Sequence, residues 1–198
     1  MRNKVMFALA TFAMVAFLSS CGKLPQEKLD AAKAAIDSAK LAEADVYLAA
    51  DFTALQDSLN AANTEIEAQK SKLFKKYGPV TQKLEWIVTK AHEVTAGVAA
   101  KKEEVKKEAE GLVTEITGLM DETQKLMKKA PRGKEGAAVL EQMKNELTTA
   151  ETALNEGKTQ LEGGKYMDAV NKLKAAKETV TSVKTELENA IAKVKGKK

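Results

Sequence analysis

Beyond residue 50 the apolar residues return every seven positions, with charged and small polar residues between them. Phe52, Leu59, Ile66 and Leu73 form one series, with Leu55 and Ala62 at the intermediate positions. Past Gly78-Pro79 the series is Leu84, Ala91, Val98, Val105, Leu112, Leu119 and Leu126. Leu140, Leu147, Leu154 and Leu161 make a third, and Tyr166, Leu173, Val180, Leu187 and Val194 a fourth. A weaker stripe, Leu29, Ala32, Ile36 and Ala39, precedes them all. A seven-residue period is close to two helical turns, so each series lines one face of a helix. Its persistence predicts coiled-coil-like packing between helices.

Pro25, Pro79 and Pro131 fall where these periodic segments begin or stop. Residues 26–78 therefore read as an N-terminal helical hairpin turning through Ala44–Ala50. Residues 79–131 read as one long central helix, whose unbroken pattern over 80–130 would span about 75 Å at 1.5 Å per residue. Residues 132–198 read as a C-terminal helical hairpin and basic tail, entered at Arg132-Gly133 and turning at Gly163-Gly164. Gly97, Gly111 and Gly118 are the weak points of the long helix, each costing about 1 kcal/mol against alanine. Its companion apolar positions also shift. Ile87 and Val94 lie three residues after the leading series, but Ala109, Ile116, Thr123 and Ala130 lie four after it. The stripe changes flank near "KKEEVKK", Lys101–Lys107, which predicts a solvated waist. The expected fold is all-α: an elongated antiparallel bundle, two three-helix bundles sharing one long central helix. Trp86, beside Ile87, is expected to be the core anchor of the first bundle.

The first 20 residues follow a different pattern. A basic head with Arg2 and Lys4 precedes the apolar run Val5–Leu18, "VMFALATFAMVAFL", and then small residues. This is the layout of a secretory signal peptide, and the run is shorter than the roughly 18–20 residues of a membrane-spanning helix. Leu18-Ser19-Ser20-Cys21 resembles the lipobox of bacterial lipoproteins, an aliphatic residue and two small residues before cysteine. The resemblance implies cleavage between Ser20 and Cys21 and attachment of diacylglycerol to the Cys21 thiol. Residues 21–25 are then a lipidated N-terminus and linker. Two or more acyl chains hold a protein stably on a bilayer. Gly22 rather than aspartate follows the cysteine, which by the same resemblance implies sorting to the outer membrane, facing the periplasm.

Composition narrows the function classes. Loss of residues 1–20 removes two basic residues and no acids, so the formal charge falls from +4 to +2. Such a balance gives no case for nucleic acid. Cys21 is the only cysteine, which leaves no disulfide within the chain. His92 is the only histidine, with Glu93 beside it and Glu85 seven residues earlier; a zinc site needs three or four His or Cys ligands, so no metal is expected. Neither a G-x-S-x-G elbow nor a glycine-rich phosphate loop occurs. Carboxylates alternate with lysines at helical pairing distance, as in Glu103, Glu104, Lys106, Lys107 and Glu108. No catalytic residue and no cofactor is expected, and the chain reads as a non-enzyme.

Two further resemblances bear on partners. Residues 29–66 and 146–180 share an alanine-rich helix, a turn, a tyrosine and a second alanine-rich helix. Both resemble a helical-hairpin domain of Gram-negative envelope lipoproteins, itself similar to tetratricopeptide units. Gly164-Lys165-Tyr166-Met167-Asp168-Ala169-Val170 is similar to the G-x-Y-x-x-A opening of a tetratricopeptide second helix; Tyr47-Leu48-Ala49 lacks the glycine. Tyr47 and Tyr166 are the candidate partner contacts in that reading, and core residues in the plainer one. The tail "AKVKGKK", Ala192–Lys198, ends in lysine. Together with an acylated cysteine and heptad helices this resembles Braun's lipoproteins, which implies Lys198 as a candidate point of attachment to peptidoglycan. The leading expectation is a membrane-anchored helical scaffold or interaction module of the envelope with a protein partner. The alternatives are a peptidoglycan tether through Lys198 and a tetratricopeptide-like peptide-binding adaptor.

Overall fold

The computed structural model describes residues 23–130 and 134–195. The expected leader with Ser20 and Cys21, residues 131–133 and the end of the tail with Lys198 lie outside the described residues. Within them all regular structure is helical: α1 Gln26–Leu41, α2 Ala44–Tyr47, α3 Ala49–Lys70, α4 Gly78–Lys129, α5 Lys134–Glu162 and α6 Tyr166–Lys195. The all-α bundle expected from the periodicity is the fold observed. The chain divides between Lys101 and Lys102 into two compact units. Helix α4 contributes 78–101 to the first and 102–129 to the second, so the division falls in the charged stretch where the apolar stripe changes flank. Only Val105 of that stretch is buried.

In the first unit, Pro25 precedes α1, where its missing N–H costs nothing, and its carbonyl accepts from Leu29 N at 3.0 Å. Glu27 in the first turn and Lys40 in the last complement the helix dipole. Helix α1 buries Leu29, Ala32, Ala35, Ile36 and Ala39, so small residues let its backbone approach its neighbours closely. The turn is tighter than a plain loop: Glu43 takes a left-handed conformation at φ 69°, and the single-turn α2 then tucks Tyr47 inward. Helix α3 returns antiparallel to α1 with Phe52, Leu55, Ala62 and Ile66 buried. Lys83 of α4 pairs with Glu65 of α3, and Lys28 of α1 pairs with Glu85 of α4 at 2.8 Å. These bridges close a three-helix bundle with α1 and α4 parallel.

Two expectations fail here. Leu73 was expected to continue the buried series, but α3 ends at Lys70 and Leu73 is 90% exposed. Ser71 Oγ donates to the Ala68 carbonyl and Lys72 N to the Gln69 carbonyl, which stops the helix before the heptad register reaches it. Tyr77, past the turn, supplies a buried ring at this end instead. Trp86 is not the core anchor; it is 49% exposed, while Leu84 and Ile87 are fully buried. Two residues beyond Leu84 lie about 200° around a helix, on the far side from the core stripe.

In the second unit, α4 runs unbroken through Gly111 and Gly118, as it does through Gly97 in the first. It buries Val105, Ala109, Leu112, Ile116, Met120, Thr123 and Ala130. The stripe alternates steps of three and four, as the shifted companion positions predicted. Leu119 and Leu126 are only half-buried, because Met120 takes the inward position. Helix α5 runs antiparallel and buries Met143, Leu147, Ala150 and Leu154; α6 buries Ala169, Val170, Leu173, Ala176, Val180, Val183 and Leu187. Leu140 and Leu161 are half-buried and Val194 is 45% exposed, so the heptad series frays at its ends. Between α5 and α6, Gly164 adopts φ 76°. Lys165 N donates to the Gln160 carbonyl at 2.9 Å and Gly164 N to the Leu161 carbonyl at 3.2 Å, the paired bonds of a Schellman turn.

Candidate functional site

An apolar recess with convergent polar groups lies in the second unit, between α4 and α5. Its volume is about 540 Å³. Met120, Met127, Leu140 and Leu147 line its apolar part, and Lys128, Glu141, Lys144 and Glu151 stand among its lining residues. On another side of the same unit, α4 and α6 are joined by ion pairs, with a recess of similar volume lined by Leu112, Lys177 and Thr181 between them. Glu108, Glu115 and Glu122, spaced by seven along α4, pair with Lys174, Lys177 and Lys184 of α6 at 2.7, 2.7 and 2.6 Å. The α4–α5 seam has no such ladder among the described residues. The hydrogen bond from Lys184 holds the Glu122 carboxyl below its ordinary value, and the same bond raises the Lys184 ammonium above its own. Lys28 is raised in the first unit by its hydrogen bond to Glu85 and then by that carboxylate's charge.

The chemistry of the recess is that of thioether and leucine surface. Methionine adapts to irregular apolar shapes, and the charged groups beside it keep the opening wetted. Glu141 and Lys144, 3.9 Å apart, satisfy one another on one helix face. Its two methionines were missed in the sequence. The available signal was the drift of the α4 stripe, which moves the inward position from Leu119 to Met120.

The residues singled out in the sequence are scattered. Tyr47 is 5% exposed and packs in the first unit, where it is a core residue and offers a partner almost no surface. Tyr166 opens α6 in the second unit and is half-buried; Ala169 and Val170 of the same motif face the core. His92 is exposed, Glu93 is engaged by Lys90 at 2.5 Å and Glu85 by Lys28. Among the described residues no three His, Cys, Asp or Glu side chains gather as metal ligands would. No described helix is long and apolar enough to cross a membrane. Cys21, Ser20 and Lys198 lie outside the described residues.

No protein-family model matches the chain, and neither a curated protein nor a solved structure is found similar to it.

Proposed function

We propose that the chain is a lipid-anchored, non-catalytic scaffold of the bacterial cell envelope. Acyl chains on Cys21 hold it at a leaflet of the outer membrane, facing the periplasm, and the two helical units present their side surfaces to a protein partner. One observation carries this reading: Leu18-Ser19-Ser20-Cys21 stands directly behind a basic head and an apolar run of leader length. Helical structure begins at Gln26, only five residues past the cysteine, which suits a folded body held close to its anchor. Lipid attachment suits a chain whose described helices do not span a bilayer.

Mass spectrometry of the mature N-terminal peptide tests it. The expected result is a chain beginning at Cys21 with a diacylglyceryl thioether. A free thiol on a secreted, freely diffusing chain overturns the proposal. Digestion of purified cell walls with muramidase tests the tether reading separately. A Lys198 peptide carrying a muropeptide would replace the scaffold reading with the tether.

A further inference from the structure

The turn joining α3 to α4 in the first unit carries Lys70-Ser71-Lys72-Leu73-Phe74-Lys75-Lys76, two large apolar side chains bracketed by lysines. Leu73 is 90% exposed and Phe74 81% exposed. Single exposed leucines are ordinary on protein surfaces. An adjacent pair held out from a hydrogen-bonded turn is different. Gln69 Oε1 accepts from Lys76 N at 3.1 Å, Lys72 N donates back to the Gln69 carbonyl at 3.1 Å, and Tyr77 is buried immediately after. The turn is thus anchored on both sides while its apolar tip faces outward.

Its place in the bundle supplies the occupant. The Lys28–Glu85 and Lys83–Glu65 bridges bring the start of α1, the end of α3 and the start of α4 to one end of the first unit. Lys23 and Leu24, both exposed, lead into α1 at that end. An extended chain spans at most about 3.6 Å per residue, so Cys21 lies within roughly 18 Å of Gln26. A linker this short keeps an acyl chain on Cys21 within reach of the end of the unit that carries the Leu73-Phe74 tip. Apolar side chains with a lysine collar match the boundary between headgroups and acyl chains of an anionic leaflet.

We propose that this turn inserts into the leaflet that holds the acyl chains of Cys21, Leu73 and Phe74 entering its boundary region while Lys72, Lys75 and Lys76 take anionic headgroups. Lys70 already engages Glu67 at 2.7 Å and contributes less. The inference rests on the lipid-anchor reading and adds a second point of contact. Two contacts fix the orientation of the first unit on the surface, where acyl chains on a short linker would leave it free to swivel.

The test uses the full acylated chain in vesicles of phosphatidylglycerol and dibrominated phosphatidylcholine. Trp86 is the only tryptophan, so Phe74→Trp with Trp86→Phe places a single emitter in the turn. Leu41→Trp with Trp86→Phe places one at an equally exposed site at the other end of α1, about 22 Å away along the helix. The first is expected to shift to shorter wavelength and lose emission to bromine; the second is expected to keep the emission it has in water. Lys72→Gln, Lys75→Gln and Lys76→Gln each reduce insertion about fivefold on anionic vesicles, as one lysine near a charged surface does. Equal quenching at both positions, or at neither, overturns the proposal. The mass of the N-terminal peptide from the same sample reports acylation. An acylated chain without quenching sinks the turn and leaves the anchor standing, whereas an unacylated Cys21 sinks the anchor, and quenching then decides the turn alone.

Discussion

A Cβ placed on Gly157 of α5 would stand 2.7 Å from Leu173 Cγ and 2.8 Å from its Cδ2, with the Ala169 carbonyl at 3.6 Å. Helices α5 and α6 thus pack with the fully buried leucine lying over a glycine. In most helix interiors Gly→Ala stabilises by about 1 kcal/mol. Here the methyl meets a branch carbon that cannot swing aside, and overpacking of this kind costs about 1–3 kcal/mol. Gly157→Ala should lower the melting temperature. Gly111→Ala and Gly118→Ala, where nothing lies within 4 Å, should each raise it. Thermal unfolding followed by circular dichroism compares the three, and stabilisation by Gly157→Ala would contradict the packing described.

The bridge from Lys184 to Glu122 gives a pH signature. The folded Glu122 carboxyl sits below its ordinary 4.5, so its contribution is full above that value and lost as pH falls through the lower folded value. Lys184 is raised above 10.5, so its share is present below 10.5 and lost as pH rises through the higher folded value. Lys184→Met keeps the aliphatic stem and removes the charge. It should lower stability slightly at neutral pH, and the difference should shrink as acid protonates Glu122 at a pH below 4.5. Both partners touch water, so about 1 M salt, with a Debye length of ~3 Å, should erase the neutral-pH difference as well.

Thr123 is the buried polar side chain of the second core, and its hydroxyl donates to the Leu119 carbonyl at 2.6 Å. That carbonyl is also the ordinary acceptor for the Thr123 N–H, so removing the hydroxyl orphans nothing. Thr123→Val should leave stability within about 1 kcal/mol of the parent or raise it. A larger loss in denaturant titration would show that the hydroxyl has another partner.

Trp86 and Leu84 exchange the importance their sizes suggest. Leu84→Ala, at a fully buried site, should cost about 2–5 kcal/mol. Trp86→Ala, at a half-exposed site, should cost about 1 kcal/mol or less. Guanidinium unfolding of the two variants checks the order.

Much of the fold was legible because heptad spacing leaves little choice. Leu84, Ile87, Ala91, Val98, Val105, Ala109, Leu112 and Ile116 could be assigned to one buried face, change of flank included, from their order in the chain. The second hairpin turn was equally plain, since Gly163-Gly164 permits the left-handed residue that the turn requires. The first was less so, because Glu43 adopts the same conformation without being glycine, and sequence alone gave no reason to expect a single-turn helix there. Of the candidate sites, Leu18–Cys21 is a local sequence pattern outside the described residues, whereas the groove and the exposed turn depend on packing that no local pattern encodes.

The order of residues by itself determined that the chain is helical and which faces of the long helices are apolar. Those properties depend on neighbours within a few turns. Only the tertiary structure decided where a series stops being buried, because that depends on which other helix lies opposite. It placed Leu73 and Phe74 in the open, turned Trp86 away from the core, seated Leu173 over Gly157, and paired Glu108, Glu115 and Glu122 of α4 with lysines of α6. Each of these outcomes is set by side chains far apart in the chain competing for the same space, and a periodicity carries no record of that competition.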